Sequence, residues 1–170
     1  TEDGKYYILN GQKVFATNGG FADIYVVFAL TDKTKGPKGM SAFIVEKGTP
    51  GVIVGENIKR MGIRAASNVE IAFVDAKIPA ENLLGKEGKG YGIAMGALAG
   101  GRIGIAAQAT GIAQGALNEA IKYSKERKQF GKPISSFQHT QFQCVEMQTK
   151  IDAARFLTWR AAKAKDDHEN

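Results

Sequence analysis

Residues 91–125 read YGIAMGALAGGRIGIAAQATGIAQGALNEAIKYSK, and this stretch decides the fold. It contains no proline, and alanines recur at Ala106, Ala109, Ala113, Ala116 and Ala120. Those steps alternate three and four residues, which lays them along one face of a helix. A row of alanines lets a neighbouring helix approach closely, so the seam is read as a helix–helix contact. Gly131-Lys132-Pro133 breaks the pattern. A second helix is expected from about Phe137 to about Lys165, with Cys144, Met147, Ile151 and Ala154 on one stripe facing the bundle core.

Upstream the periodicity is that of strands. Tyr6–Leu9 and Gln12–Thr17 flank Asn10-Gly11, a strong hairpin signal. Ile24–Leu30 is a continuous apolar run of strand length, and Ser41–Glu46, Val52–Ile58 and Val69–Val74 follow, separated by Gly/Pro turns. Several short strands at this spacing predict a small antiparallel β-barrel or sandwich. The expected class is therefore α+β. A β-domain over residues 1–85 is followed by two long antiparallel helices of a helical bundle over residues 86–170.

The first helix is unusual in its glycines at 92, 96, 100, 101, 104, 111 and 115. Each costs about 1 kcal/mol against alanine in a helix interior. Such a sequence implies close approach to that backbone, by another helix or by a ligand lying across Gly100-Gly101.

Composition excludes several classes. Hydrophobic content of 44% with 24% charged residues is that of an ordinary soluble domain rather than a disordered chain. Cys144 is the sole cysteine, which removes intrachain disulfides and CxxC metal pairs, and it is read as a small buried apolar residue. With only His139 and His168 besides, no zinc cluster is expected, and His168 falls in a polar tail. No run of 18 apolar residues exists, so no membrane span is expected, and no secretory leader is visible. The net charge of +6 suits an anionic partner, but aromatic interleaving is sparse and no nucleic-acid motif is present. The opening Thr1-Glu2-Asp3-Gly4 reads as a turn entering a strand, hinting at a cut chain.

Three segments go beyond this pattern. In Lys13-Val14-Phe15-Ala16-Thr17-Asn18-Gly19-Gly20, strand alternation sends Phe15 and Thr17 to one face. The pair offers an apolar slab beside a hydroxyl, suited to a flat heteroaromatic ring, although alone such a pair is usually ordinary sheet surface. In Leu98-Ala99-Gly100-Gly101-Arg102, an arginine sits within an apolar, glycine-rich stretch. It either meets an anion or snorkels at a helix surface. Lys125-Glu126-Arg127-Lys128-Gln129-Phe130-Gly131 places cations at a helix C-terminus, where they also complement the helix dipole.

Taken in order, these segments resemble the acyl-CoA dehydrogenase family, especially its short-chain and bacterial butyryl-CoA members. The resemblance extends through Gly62-Ile63-Arg64-Ala65-Ala66-Ser67, Pro79-Ala80-Glu81-Asn82-Leu83-Leu84-Gly85 and Gly101–Gln108, and so covers essentially the whole chain. It implies that Phe15, Ala16 and Thr17 contact FAD, with Thr17 hydrogen-bonded near flavin N5; the family often has tryptophan where Phe15 stands. It implies that Ala99, Gly100, Gly101 and Arg102 hold the acyl-CoA, Arg102 towards its phosphates; relatives usually have aspartate at the position of Ala99. It further implies that Arg127, Lys128 and Gln129 reach the FAD of a neighbouring subunit, with Phe137 and Gln138 near the adenine half.

The reaction implied is removal of an acyl-CoA α-proton by a carboxylate, with the β-hydrogen passing as hydride to flavin N5. Some members carry that base on the helix position matching Gly101, which is glycine here, and Glu119 and Glu126 match no catalytic position. No residue of this chain is thus expected to be the base, which is placed beyond Asn170, and the chain alone is expected to be inactive. No metal is implied. The implied partners are an electron-transfer flavoprotein and further copies of the chain in a homodimer or homotetramer. The implied compartment is the bacterial cytoplasm or, in a eukaryote, the mitochondrial matrix. An acyl-CoA oxidase and a non-catalytic binding or assembly module are the alternatives.

Overall fold

A computed structural model describes residues 1–167, and the polar-tail reading of His168 lies outside them. The strands are β1 (Tyr6–Thr17), β2 (Ile24–Leu30), β3 (Met40–Glu46), β4 (Val52–Val54), β5 (Asn68–Pro79) and β6 (Leu83–Leu84). Helix α1 (Gly90–Glu126) follows, then the two-residue strands β7 (Lys128–Gln129) and β8 (Lys132–Pro133), and then α2 (Gln138–Asp166). The chain divides into two compact units, Thr1–Met95 and Gly96 onward.

In the first unit two three-stranded antiparallel sheets, β1-β5-β4 and β2-β3-β6, share one apolar core. This is the expected sandwich; among the described residues no strand pairing closes it into a barrel. Tyr25 and Val27 of β2 and Phe43 and Val45 of β3 pack against Val69, Ile71 and Phe73 of β5. Alternation explains the choice, because Ile24 and Val26 of the same apolar run point outward and stay exposed. A fully buried side chain such as Ile78 contributes about 1.5–3 kcal/mol by leaving water.

The Asn10-Gly11 hairpin does not form. β1 runs straight through it and pairs with β5, Leu9 opposite Ala76 and Gly11 opposite Phe73. Asn10 on β1 thus faces two residues on β5, and the extra residue makes a bulge at Val74-Asp75. Asn10 is what stabilises it. Its amide donates to the Asp75 carboxylate at 2.9 Å and its side-chain oxygen accepts the Asp75 N–H at 2.8 Å, while Asp75 adopts φ of 48°. The bulge also resets the alternation of β5, so that Phe73 and Ala76 both face the core. The run expected to be a strand from Val52 to Ile58 is one only over Val52–Val54.

Helix α1 starts against β3. A Cβ at Gly90 would lie 2.6 Å from the Ser41 carbonyl carbon and 2.9 Å from the Ala42 nitrogen, so only glycine permits this approach.

In the second unit Gly100 lies beside Lys165 and Gln114 beside Gln148, so numbering falls along α2 as it rises along α1. The helices are antiparallel, as expected. The alanine seam is not their contact: Ala106, Ala109, Ala113, Ala116 and Ala120 are all exposed. The covered face of α1 lies instead at Thr110, Leu117 and Ser124, with Ile103, Gln114 and Ile121 half-buried. Hydroxyls tolerate this burial because Thr110 donates to the Ala106 carbonyl and Ser124 to the Ile121 carbonyl, each at 2.8 Å. On α2, Ile151 is buried as expected, Cys144 is only half-buried rather than buried, and Met147 and Ala154 are exposed. Gln148 and Arg155 take their places at the contact.

Candidate functional site

At the end of β1 the ladder shifts again, Lys13 opposite Ile71 and Ala16 opposite Val69. Val14 and Phe15 of β1 face Glu70 alone on β5, and this bulge holds Phe15 at φ of 56°. Plain alternation therefore does not set the direction of Phe15 relative to Thr17. A left-handed conformation at a bulky residue is strained by about 1–3 kcal/mol, and such strain clusters at binding sites. Phe15 is 68% exposed, an apolar ring held out to solvent. Ala16 packs inward against the core. Thr17 is exposed, and its hydroxyl makes no hydrogen bond among the described residues.

Thr17 opens onto a cleft of 490 Å³, lined also by Ala16, Asn18, Ile24, Val26 and Phe28. The turn that follows is fully bonded. Asn18 N–H donates to the Ser67 carbonyl at 2.7 Å, and Gly19 N–H to the Ala16 carbonyl at 3.1 Å. Gly20 N–H donates to the Ser67 hydroxyl at 3.0 Å. Phe21 and Ala22 N–H groups both donate to the Asn18 carbonyl. Side chains take the glycine carbonyls, Tyr25 donating to Gly19 at 2.8 Å and the Lys47 ammonium to Gly20 at 2.6 Å. Burial, and then the Asp23 charge, push the Tyr25 phenol above its usual range, which keeps it a donor. Local sequence gave no signal for Ser67, Tyr25 or Lys47, because each comes from a different element.

The second segment lies on α1. Ala99, Gly101 and Arg102 are exposed and Gly100 is half-buried. The Lys165 ammonium from α2 occupies the space a Gly100 side chain would take. Arg102 makes no ion pair among the described residues, so two cations flank a glycine-lined backbone. Glu119 and Glu126 are exposed further along α1.

The third segment forms at the other end of α1. Arg127 N–H closes the helix on the Tyr123 carbonyl at 2.8 Å, and Ile134 N–H donates to the Arg127 carbonyl at 2.8 Å. Lys128 pairs with Pro133 and Gln129 with Lys132. Phe130 and Gly131, with φ of 52° and 77°, make the two-residue turn. The structure brings Phe137 to this hairpin: its ring meets Phe130 edge-on at 6.2 Å, and the Lys132 ammonium lies 4.6 Å from its centre. Gln138, exposed, begins α2 beside it. Arg127, Lys128, Gln129, Phe137 and Gln138 thus share one end of the helix pair. Arg102 and Arg127 are separated by about 37 Å of helix, at 1.5 Å per residue.

Residues 1–76 match the acyl-CoA dehydrogenase middle domain family, and residues 88–170 match the acyl-CoA dehydrogenase C-terminal domain family. The short-chain specific acyl-CoA dehydrogenase of Megasphaera elsdenii is 55% identical over 166 residues, covering 98% of this chain and 43% of that protein. The solved butyryl-CoA dehydrogenase from Megasphaera elsdenii superposes with a TM-score of 0.94 at 54% identity, over 97% of this chain and 43% of that one. A chain in the structure of the electron transferring flavoprotein of Acidaminococcus fermentans gives 0.94 at 56% identity, over 98% of this chain and 44% of that one. The chain therefore spans less than half the length of the relatives it matches.

Proposed function

We propose, for a chain that belongs to the acyl-CoA dehydrogenase family, that it carries flavin and thioester contacts of an FAD-dependent dehydrogenase converting short-chain acyl-CoA to 2-enoyl-CoA. The observation that carries this reading is the strained bulge that holds the Phe15 ring out to solvent, two residues before an unused Thr17 hydroxyl that lines an open cleft. That donor set fits a flat heteroaromatic ring with hydrogen-bonding edges. Phe15, Ala16 and Thr17 would hold the flavin ring, Thr17 donating to it, and bound flavin would supply hydride acceptance.

Ala99 to Arg102 would hold the acyl-CoA. Gly100 and Gly101 let a thioester lie close to the backbone, and Arg102 faces its phosphates as a free cation. Gly101 bears no side chain, so no base acts from that position. Arg127, Lys128, Gln129, Phe137 and Gln138 would serve a second FAD. The roughly 37 Å between Arg102 and Arg127 is too long for one active site. The two ends of α1 therefore serve different sites, which calls for a homodimer or homotetramer. Residues 1–85 form the flavin- and substrate-contacting β-domain in this reading, and 86–170 the start of the helical domain. The electron acceptor is an electron-transfer flavoprotein, and the compartment is the cytoplasm of a bacterium or the mitochondrial matrix of a eukaryote.

The test is the visible spectrum of the purified chain after FAD is added and excess removed, followed by butyryl-CoA. Retained flavin that is not bleached by butyryl-CoA supports the contacts together with the absence of a base. Bleaching would show that a carboxylate of this chain acts as base, and colourless protein would count against the flavin contacts.

A further inference from the structure

Thr17 hangs from a turn in which every backbone N–H from Asn18 to Ala22 is bonded and both glycine carbonyls are capped by side chains. Most of this restraint comes from elsewhere in the sequence. Ser67, 3% exposed, grips the turn twice, through its carbonyl to Asn18 and its hydroxyl to Gly20. Tyr25, 8% exposed, holds Gly19. Lys47 binds the turn's far side twice, its ammonium on the Gly20 carbonyl and its own N–H on the Asp23 carbonyl at 2.9 Å. There is no slack in the packing. A Cβ at Gly19 would lie 2.8 Å from Val69 Cγ2, and one at Gly20 would strike the Ser67 hydroxyl.

We infer that Ser67, Tyr25 and Lys47 are positioning residues that hold in place the backbone from which the Thr17 side chain projects. The inference rests on the proposed flavin contact for its consequence, though not for its geometry. A side chain carried on a mobile turn moves with it, and that backbone motion is lost on binding. A fully bonded turn has lost it already, and the ligand binds more tightly for it. None of the three needs to touch the flavin. Lys47 is chosen over a neutral residue because an ammonium bond to a carbonyl, partly shielded from water, is stronger than a neutral one.

The experiment compares the wild-type chain with Ser67→Ala, Lys47→Met and Lys47→Arg. It measures backbone amide order parameters and hydrogen exchange over residues 17–22 in unliganded protein, and then FAD affinity by titration. The expected result is a rigid backbone there in the wild type and a loosened one in Ser67→Ala and Lys47→Met. FAD binding should be about tenfold weaker in those two, with Lys47→Arg restoring both readouts. A backbone that stays rigid in both variants overturns the inference, even if the melting temperature falls. Should Ser67→Ala fail to fold, the lysine pair decides alone. A loosened backbone without FAD binding to any form would leave the positioning intact and sink the flavin reading. FAD binding with an unmoved backbone would do the reverse.

Discussion

Arg155 on α2 donates from Nη2 to Gln114 Oε1 on α1 at 2.9 Å, while its Nη1 reaches Asp152 at 3.0 Å. Gln148 completes the set, accepting from Gln114 at 3.2 Å and donating to Asp152 at 2.9 Å. This polar cluster sits where a simple bundle would place leucines, and it pins Gln114 to one level of the opposite helix. Replacing Arg155 by alanine is expected to cost about 1 kcal/mol in urea unfolding, since the side chain is only partly shielded. The double variant with Gln114→Ala should show coupling of about 0.5–1 kcal/mol. Strict additivity would mean that the bond does not hold the helices in register.

The apolar contact between the helices is concentrated at Leu117, which is 2% exposed. Leu117→Ala is expected to destabilise the helical unit by about 2–4 kcal/mol. Ala113→Gln, on the exposed seam, is expected to change stability by less than about 0.5 kcal/mol. Denaturant midpoints of the two variants check this, and a large loss at Ala113 would place the contact on the seam after all.

One substitution should have opposite signs at two glycines of the same helix. At Gly100 the obstruction is the flexible end of Lys165, which swings away, so Gly100→Ala should stabilise by about 0.5–1 kcal/mol through helix propensity. At Gly90 the obstruction is the backbone of Ser41 and Ala42, which cannot move aside. Gly90→Ala is expected to cost about 1–3 kcal/mol, read by thermal melting.

Asp32 begins the short 3-10 turn at Lys33–Gly39 and accepts the Thr34 N–H at 2.9 Å. The hydrogen bond from Lys35, then those from Thr34, lower its carboxyl to about 2 from the usual 3.8. A depressed carboxyl stabilises the fold fully above its unfolded value, and that share is lost as pH falls from about 4 to about 2. NMR titration of Asp32 should show the lowered midpoint, and Asp32→Asn should flatten stability across that window. A midpoint near 3.8 would contradict the bond from Lys35.

Where pattern alone governs, the sequence was legible. The apolar run Ile24–Leu30 is β2 residue for residue, the proline-free stretch 91–125 lies within α1, and the helix expected from about Phe137 to about Lys165 is α2. The failures share one cause, which is pairing between residues distant in sequence. Asn10-Gly11 carries every local mark of a hairpin, yet Asp75 on β5 takes up the asparagine and keeps the strand straight. The alanine periodicity does mark a face of α1, but which face meets α2 is set by Leu117 and Gln114. At the candidate site, the sequence located Phe15 and Thr17 without the bulge that orients Phe15. It offered nothing on Ser67, Tyr25 or Lys47, whose roles exist only once the turn is folded against them.

Whether the end of β1 is a flavin contact is tested by titrating FAD into the wild-type and Thr17→Ala chains. A saturable shift of the flavin visible bands is expected in the wild type. Binding about tenfold weaker is expected in Thr17→Ala, the loss of roughly one hydrogen bond to the ring. Identical titrations of the two proteins, or no saturable shift in the wild type, would rule that contact out.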